Sequence, residues 1–262
     1  MKEIKNPARD RLVNGELSLG VGIRQARTGD VAKIMKTADM DWLFIDLEHG
    51  PMSLDSATQI AVAALDAGIA PLVRVPNGEY SMATRALDGG AMGIVMPHVD
   101  DADEAREVVA RLKYPPLGHR STYNALPQFD FDAGDPKSAL ALLNEITLTV
   151  VMLESPDAIA QADAIAAVDG VDVLLIGSSD LSTEMGIPGQ YDDERIVAAY
   201  ETVIGACHKH GKWPGMGGVG KPEHFQRFIS MGMKMILAGS DLQFMMAAAR
   251  ERTRTLRDLV KG

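Results

Sequence analysis

Trp42-Leu43-Phe44-Ile45-Asp46-Leu47-Glu48-His49-Gly50-Pro51 decides the fold: a buried-strand pattern runs into two carboxylates and an imidazole, then stops at a Gly-Pro turn. Leu43, Phe44 and Ile45 read as a strand covered on both faces, and in α/β proteins the carboxyl ends of such strands carry the chemistry. The same event recurs at Leu72-Val73-Arg74-Val75-Pro76, at Val150-Val151-Met152-Leu153-Glu154-Ser155-Pro156 and at Val173-Leu174-Leu175-Ile176-Gly177-Ser178-Ser179-Asp180. Four strands that each end in a charged residue predict one shared pocket.

Further out, short β-rich runs alternate with longer amphipathic ones. Strands are expected near 18–23, 42–47, 71–75, 93–97, 148–154, 173–177, 213–217 and 234–238, and helices over 28–38, 55–67, 81–88, 101–112, 156–166, 192–210, 221–230 and 241–259. Eight alternations in 262 residues, 46% of them apolar, suit a (β/α)8 barrel in one domain (1–262) better than an open doubly wound sheet. Asp101 and Ser155-Pro156-Asp157 supply helix starts, and Gly68 and Gly211 supply stops. Residues 113–137 break the rhythm: they are too rich in Pro and Gly for a regular element, yet hold Tyr114, Tyr123, Phe129 and Phe131. Disordered segments are poor in aromatics, so an ordered lid or subunit contact is expected.

A net charge of −10 offers no basic patch for nucleic acid or anionic lipid. Cys207 is the only cysteine, which excludes an intrachain disulfide and suits a reducing cytoplasm. No apolar run reaches the ~18 residues of a membrane span, and the start Met1-Lys2-Glu3-Ile4-Lys5-Asn6 lacks a signal-peptide apolar region. A cytoplasmic protein with small-molecule partners is expected.

Glu154 and Asp180 follow apolar strands, where a bare carboxylate is costly unless it is paired or holds a metal. With waters and substrate oxygens they suit a hard divalent cation such as Mg2+ or Mn2+; each could instead cap the next helix or pair with an arginine. Arg74 could grip a carboxylate or an enolate oxygen, or serve as the partner of Glu48 or Glu154. His49 beside Asp46 and Glu48 has the parts of a general base whose tautomer a carboxylate holds, or it is a packing residue; His98 occupies a similar place in Met96-Pro97-His98. Gly177-Ser178-Ser179-Asp180 offers successive N–H groups as a cradle for a small carboxylate.

Together, Asp-Leu-Glu-His-Gly-Pro at 46–51, Val-Arg-Val-Pro at 73–76, Leu-Asp-Gly-Gly-Ala at 87–91, Ala-Asp-Glu-Ala-Arg at 102–106, Lys-Tyr-Pro-Pro-Leu-Gly at 113–118, Leu-Glu-Ser at 153–155 and Ile-Gly-Ser-Ser-Asp-Leu-Ser at 176–182 resemble the HpcH/HpaI family. These are metal-dependent (class II) pyruvate aldolases of the phosphoenolpyruvate/pyruvate barrel superfamily. The resemblance implies reversible cleavage of a 4-hydroxy-2-oxo acid into pyruvate, or hydroxypyruvate, and an aldehyde. It implies Mg2+, Mn2+ or Co2+ on Glu154 and Asp180, Arg74 at the enolate oxygen, His49 as base with Asp46 as its partner, and the Ser179 and Asp180 backbone, next to Gly177, at the pyruvate carboxylate. It further implies that Asp88 approaches a neighbouring subunit's site in a homo-oligomer, a hexamer of dimer pairs that exchange the final helix, 241–259. Two positions depart from the pattern: Gly177-Ser178 stands where many members have Gly-Pro, and Gly22 and Ile23 stand where members acting on long dicarboxylic substrates can carry an aromatic. A decarboxylase or ester lyase on the same enolate site, or a non-catalytic 2-oxo acid binding protein, are the rival readings.

Overall fold

The computed structural model describes residues 4–123 and 125–260; the first three residues of the polar start and Asn124 of the aromatic segment lie outside the described residues. Eight parallel strands close into a barrel in chain order: β1 (Ser18–Ile23), β2 (Trp42–Asp46), β3 (Ala70–Arg74), β4 (Gly93–Met96), β5 (Leu148–Leu153), β6 (Val173–Gly177), β7 (Trp213–Gly217) and β8 (Met235–Ser240). Each bound falls within two residues of its expected place. The fold is the (β/α)8 barrel.

Alternation along the strands sorts the core into two layers. Trp42, Phe44, Leu72, Val150, Leu175 and Met235 fill the barrel interior. Leu43, Ile45, Val73, Ile94, Val151 and Leu174 face outward and pack beneath the helices. A fully buried side chain of this kind stabilises by about 1.5–3 kcal/mol, so the two layers hold the strand ends in fixed relative positions. Because Asp46 follows Trp42 and Phe44 at two-residue spacing, it also points inward. Arg74 follows Ala70 and Leu72 in the same way, and Glu154 follows Val150 and Met152. The inward parity that builds the core therefore ends, at the carboxyl rim, in three charged side chains.

The helices are α1 (Pro7–Val13), α2 (Asp30–Thr37), α3 (Leu54–Ala67), α4 (Tyr80–Asp88), α5 (Ala102–Leu112), α6 (Pro136–Ile146), α7 (Pro156–Ala160), α8 (Ala162–Ala166), α9 (Ser178–Glu184), α10 (Glu194–His210), α11 (Pro222–Met231) and α12 (Asp241–Asp258). Three of them were not expected. In α1, Ala8 and Leu12 join the interior cluster beside Trp42, so this helix packs against the barrel's inner core. Buried Asn6 fixes it, its amide donating to the Met92 and Ile146 carbonyls and its Oδ1 accepting from the Arg9 N–H. In α6, capped by Asp135, Ala139, Leu143 and Ile146 are buried. The third, α9, begins directly at the end of β6. The expected helix 156–166 divides at Gln161 into α7 and α8.

The aromatic segment is ordered, but it is no lid. Tyr114, Leu126, Phe129 and Ala133 pack against Met92 and α6, Lys113 reaches the Asn144 carbonyl and Asp172, and a 3-10 turn spans Pro127–Phe129. The segment is thus held against the flank of the barrel, with Tyr123 and Phe131 exposed there. At the other end of the chain α12 stands apart. Among the described residues none of its side chains is buried, and Leu242, Phe244, Met245, Met246 and Leu256 are all exposed, Met245 to 56%. No helix among the described residues is long and apolar enough to cross a membrane.

Candidate active site

The rim of β2 and β3 carries a buried ion pair. In-register pairing places Asp46 opposite Arg74. Arg74 Nε donates to Asp46 Oδ1 at 3.0 Å and Nη2 to Oδ2 at 2.7 Å, while Nη1 lies 2.9 Å from Glu48 Oε2. The carboxylate of Asp46 is 0% exposed and the guanidinium 4%. The guanidinium also sits 5.0 Å from the centre of the Phe44 ring, the next inward side chain below. Asp46 Oδ1 further accepts the Glu48 and His49 backbone N–H groups at 3.1 Å each, and Arg24 Nε lies 3.0 Å from Oδ2. Burial pushes the Asp46 pKa up, but the Arg74 bonds and charge, the His49 N–H and Arg24 outweigh it and hold the carboxyl below its ordinary range.

This geometry corrects one expectation: Asp46 does not orient the His49 ring. Its oxygens are taken by Arg74 and backbone N–H groups, so it fixes the turn that carries His49 instead. The His49 imidazole is 61% exposed, with Nε2 4.0 Å from Glu48 Oε2.

Two strands further round the barrel from Arg74, at the end of β5, Glu154 is almost fully buried. Its Oε2 accepts the His98 N–H at 2.9 Å and lies 3.4 Å from His98 Nδ1. Burial pushes Glu154 up to about 7; the His98 N–H and charge and the Arg74 charge oppose this, and the neighbouring Asp180 charge adds to it. His98, the second choice from sequence, is thus the histidine that touches this carboxylate, and it does so from a left-handed backbone (φ 50°). Gly177 leaves the space that Glu154 fills, since a Cβ there would stand 2.5 Å from Glu154 Oε1. Similarly, Gly218, at φ 91°, packs so close to α9 that a Cβ would come within 2.8 Å of the Ser179 N and Oγ.

Asp180 lies in the first turn of α9, exposed beside Ser179. Ser178 is buried, its hydroxyl 2.6 Å from the Tyr200 hydroxyl, and Tyr200 stacks on Phe228 with ring centres 3.7 Å apart. That anchors the helix start to α10 and α11. A cavity of about 240 Å³ opens between these groups, lined by Arg24, Phe44, His49, Arg74, Gly177, Ser179 and Asp180 among others. A smaller one of about 140 Å³ shares Arg24, Phe44, Ser179 and Gly218 with it and extends to Gly22, Ser240 and Gln243.

Of the sequence-derived residues, His49, Arg74, Gly177, Ser179 and Asp180 line one cavity, while Asp46 is buried against Arg74 and Glu154 against Gly177, behind that lining. Asp88 does not join them. It ends α4, shortly before β4 begins at the opposite face, and pairs with buried Arg120 at 2.7 Å. Sequence reasoning missed Arg24. Its signal was the inward parity Ser18, Gly20, Gly22, Arg24, masked by the polar run that follows.

Comparisons with known proteins place the chain in one family. The family model described as HpcH/HpaI aldolase/citrate lyase matches residues 25–248. A 4-hydroxy-4-methyl-2-oxoglutarate aldolase of Hapsidospora irregularis is 40% identical, covering 96% of this chain and 94% of its own length. A 2-keto-3-deoxy-L-rhamnonate aldolase of Escherichia coli is 30% identical over 95% and 92%. The crystal structure of an HpcH/HpaI aldolase from Desulfitobacterium hafniense superposes with a TM-score of 0.90 at 27% identity, covering 95% of this chain and 96% of that one.

The Asp46–Arg74 pair generates a stability prediction. Breaking a buried pair costs about 3 kcal/mol, so Asp46→Asn is expected to unfold at markedly lower denaturant. Because the native pKa is lowered, the wild-type advantage is complete above the ordinary aspartate range and fades as pH falls through the native value. Chemical unfolding of both proteins between about pH 5 and pH 3 measures this, and a gap that stays constant with pH contradicts it.

Proposed function

Because this chain belongs to the HpcH/HpaI aldolase/citrate lyase family, we propose that it is a pyruvate aldolase acting on 4-hydroxy-2-oxo acids at the β-barrel rim, with a divalent cation on Glu154 and Asp180. The observation that carries this is the gathering of charge at one cavity: Arg74, held by Asp46 and Glu48, and Asp180 line it, and buried Glu154 lies behind Gly177, close enough to feel the charges of both.

The donor set fits a hard cation. Among the described residues no cluster of three or more His, Cys, Asp or Glu side chains could hold a metal, so the protein would supply two carboxylates and leave the other positions to water and substrate oxygens. Glu154 is buried beside a second carboxylate, a costly arrangement that a dication relieves. When bound, such an ion supplies Lewis-acid polarisation of the 2-oxo group.

The chain's own residues perform the rest. A guanidinium has five N–H donors, and Arg74 commits three to Asp46 and Glu48. Arg74 lines the cavity, and its remaining two donors would stabilise the oxygen on which enolate charge develops. His49 takes the proton of the 4-hydroxyl. The C3–C4 bond then breaks with its electron pair moving to C3, and C4 becomes a carbonyl carbon. Backbone N–H groups of Ser179 and Asp180, at the start of α9, hold the pyruvate carboxylate. Pinning by Asp46 keeps Arg74 and the His49 turn in place without reorganisation during the reaction.

Assembly follows from α12. Phe244 packs against Gly239 of β8, but none of the helix's described side chains is buried and Met245 and Leu256 are more than half exposed, an arrangement that supports a homo-oligomer in which the helix docks on a second copy. Asp88, at the far face, would then approach a neighbour's site.

Turnover of a 4-hydroxy-2-oxo acid, followed by coupled detection of pyruvate, is expected to require Mg2+, Mn2+ or Co2+, and to be lost in a chelator and in Glu154→Gln; full activity in the chelator refutes the metal site. In the same assay His49→Ala is expected to fall about 10²–10⁴-fold, the worth of a positioned base. An unchanged rate would reduce His49 to a packing residue. Light scattering is expected to give a mass several times that of one chain, and a fully active monomer would exclude the assembly.

A further inference from the structure

We infer that Arg24 binds a second carboxylate of the substrate, so that the acceptor released on cleavage is itself a small oxo acid rather than a simple aldehyde. The inference rests on the aldolase reading above and names its substrate class.

Arg24 joins two spaces. Its side chain leaves the end of β1 on the inward side, and it lines both the cavity that holds His49, Arg74 and Asp180 and the adjoining one bounded by Gly22, Ser240 and Gln243. A 4-hydroxy-2-oxo acid placed with its carboxylate and 2-oxo group at the Asp180 and Arg74 end extends from C4 away from them. The adjoining cavity receives that extension.

The two arginines of the site differ in what they have left to offer. Arg74 is engaged by Asp46 and Glu48 at all three of its nitrogens. Arg24 has one near partner, with Nε 3.0 Å from Asp46 Oδ2 and its side chain 40% exposed. That Nε is buried yet has no aligned acceptor, and among the described residues neither Nη makes a hydrogen bond or ion pair. The Nη groups of Arg24 thus keep N–H donors that no protein group takes among the described residues, on a side chain that lines both cavities. A carboxylate accepts two of them in parallel, a geometry that neither a neutral aldehyde nor a hydroxyl can satisfy.

Charge points the same way. Asp46 and Glu48 balance the two guanidiniums between them, but both lie against Arg74 while Arg24 meets only Asp46, through Nε, so Arg24 is the guanidinium with donors left for an added carboxylate. On cleavage, the proton of the C4 hydroxyl passes to His49 and the electron pair of C3–C4 stays on C3. The fragment held by Arg24 leaves as an oxo acid whose carboxylate was C5.

Two probes that do not turn over separate this role from all others. 2-Oxoglutarate and 2-oxopentanoate share the same head and chain length and differ only in a carboxylate or methyl at C5. Their affinities are measured by calorimetry on the intact protein with saturating Mg2+, for wild type, R24Q and R24K. Wild type is expected to prefer 2-oxoglutarate, and R24Q to lose about 10- to 100-fold of that preference, the range for hydrogen bonds to a charged group. R24K, which keeps the charge but not the fork, is expected to fall between them and serves as the test if R24Q does not fold. A wild type that binds both acids equally overturns the inference. So does a ratio unchanged by substitution, including the case where both affinities fall together because Arg24 only steadies Asp46. Failure of the aldolase reading shows separately, as a wild type that keeps the 2-oxoglutarate preference but releases no pyruvate from any 4-hydroxy-2-oxo acid.

Discussion

The burial of Asp46 beneath Arg74 is the constraint on which the site depends. An uncompensated charge at that depth would cost several kcal/mol, so each partner makes the other tolerable. The barrel supplies the condition for it: β2 and β3 pair in register, and the same inward parity that stacks Trp42 under Phe44 delivers Asp46 to the rim opposite Arg74. Once there, Asp46 Oδ1 accepts not only Arg74 Nε but also the two backbone N–H groups that fasten the Glu48–His49 turn. One carboxylate thereby sets a guanidinium, a backbone turn and the base of an imidazole at once.

The Glu154 side of the site follows a different logic. Glu154 is buried with a single backbone N–H and a histidine for company, and close to Asp180, so its ionised form is held at a disadvantage. Stability would be better served by an apolar side chain. Such a conflict between local energetics and fold is expected where function has set the residue. The two sides thus differ: Arg74 is neutralised by Asp46 and Glu48, whereas burial holds Glu154 toward its neutral form.

Much of this was legible in the sequence, for a physical reason. Buried parallel strands are continuous apolar runs, and a charged residue ending such a run can only lie at the rim, so Asp46, Arg74, Glu154 and Asp180 announced themselves. What failed to show were features lacking such a contrast. α1 and α9 are only seven residues long, and α9 opens with Ser-Ser-Asp, which reads as a turn. α6 begins inside a Pro- and Gly-rich stretch that hid its start. That Asp46 spends its oxygens on Arg74 and on backbone N–H groups, and not on the His49 ring, is encoded by no spacing. Arg24 was hidden because the inward parity of β1 runs through glycines, which carry no side chain to mark the face.

The claim that these rim residues form a metal-dependent pyruvate-enolising centre is tested most directly on pyruvate alone, by following its methyl proton signal in deuterated water in the presence of the protein. The account predicts that the signal decays when Mg2+ or Mn2+ is added and persists in a chelator. Decay at the same rate in the chelator, or none with any divalent ion, would contradict it.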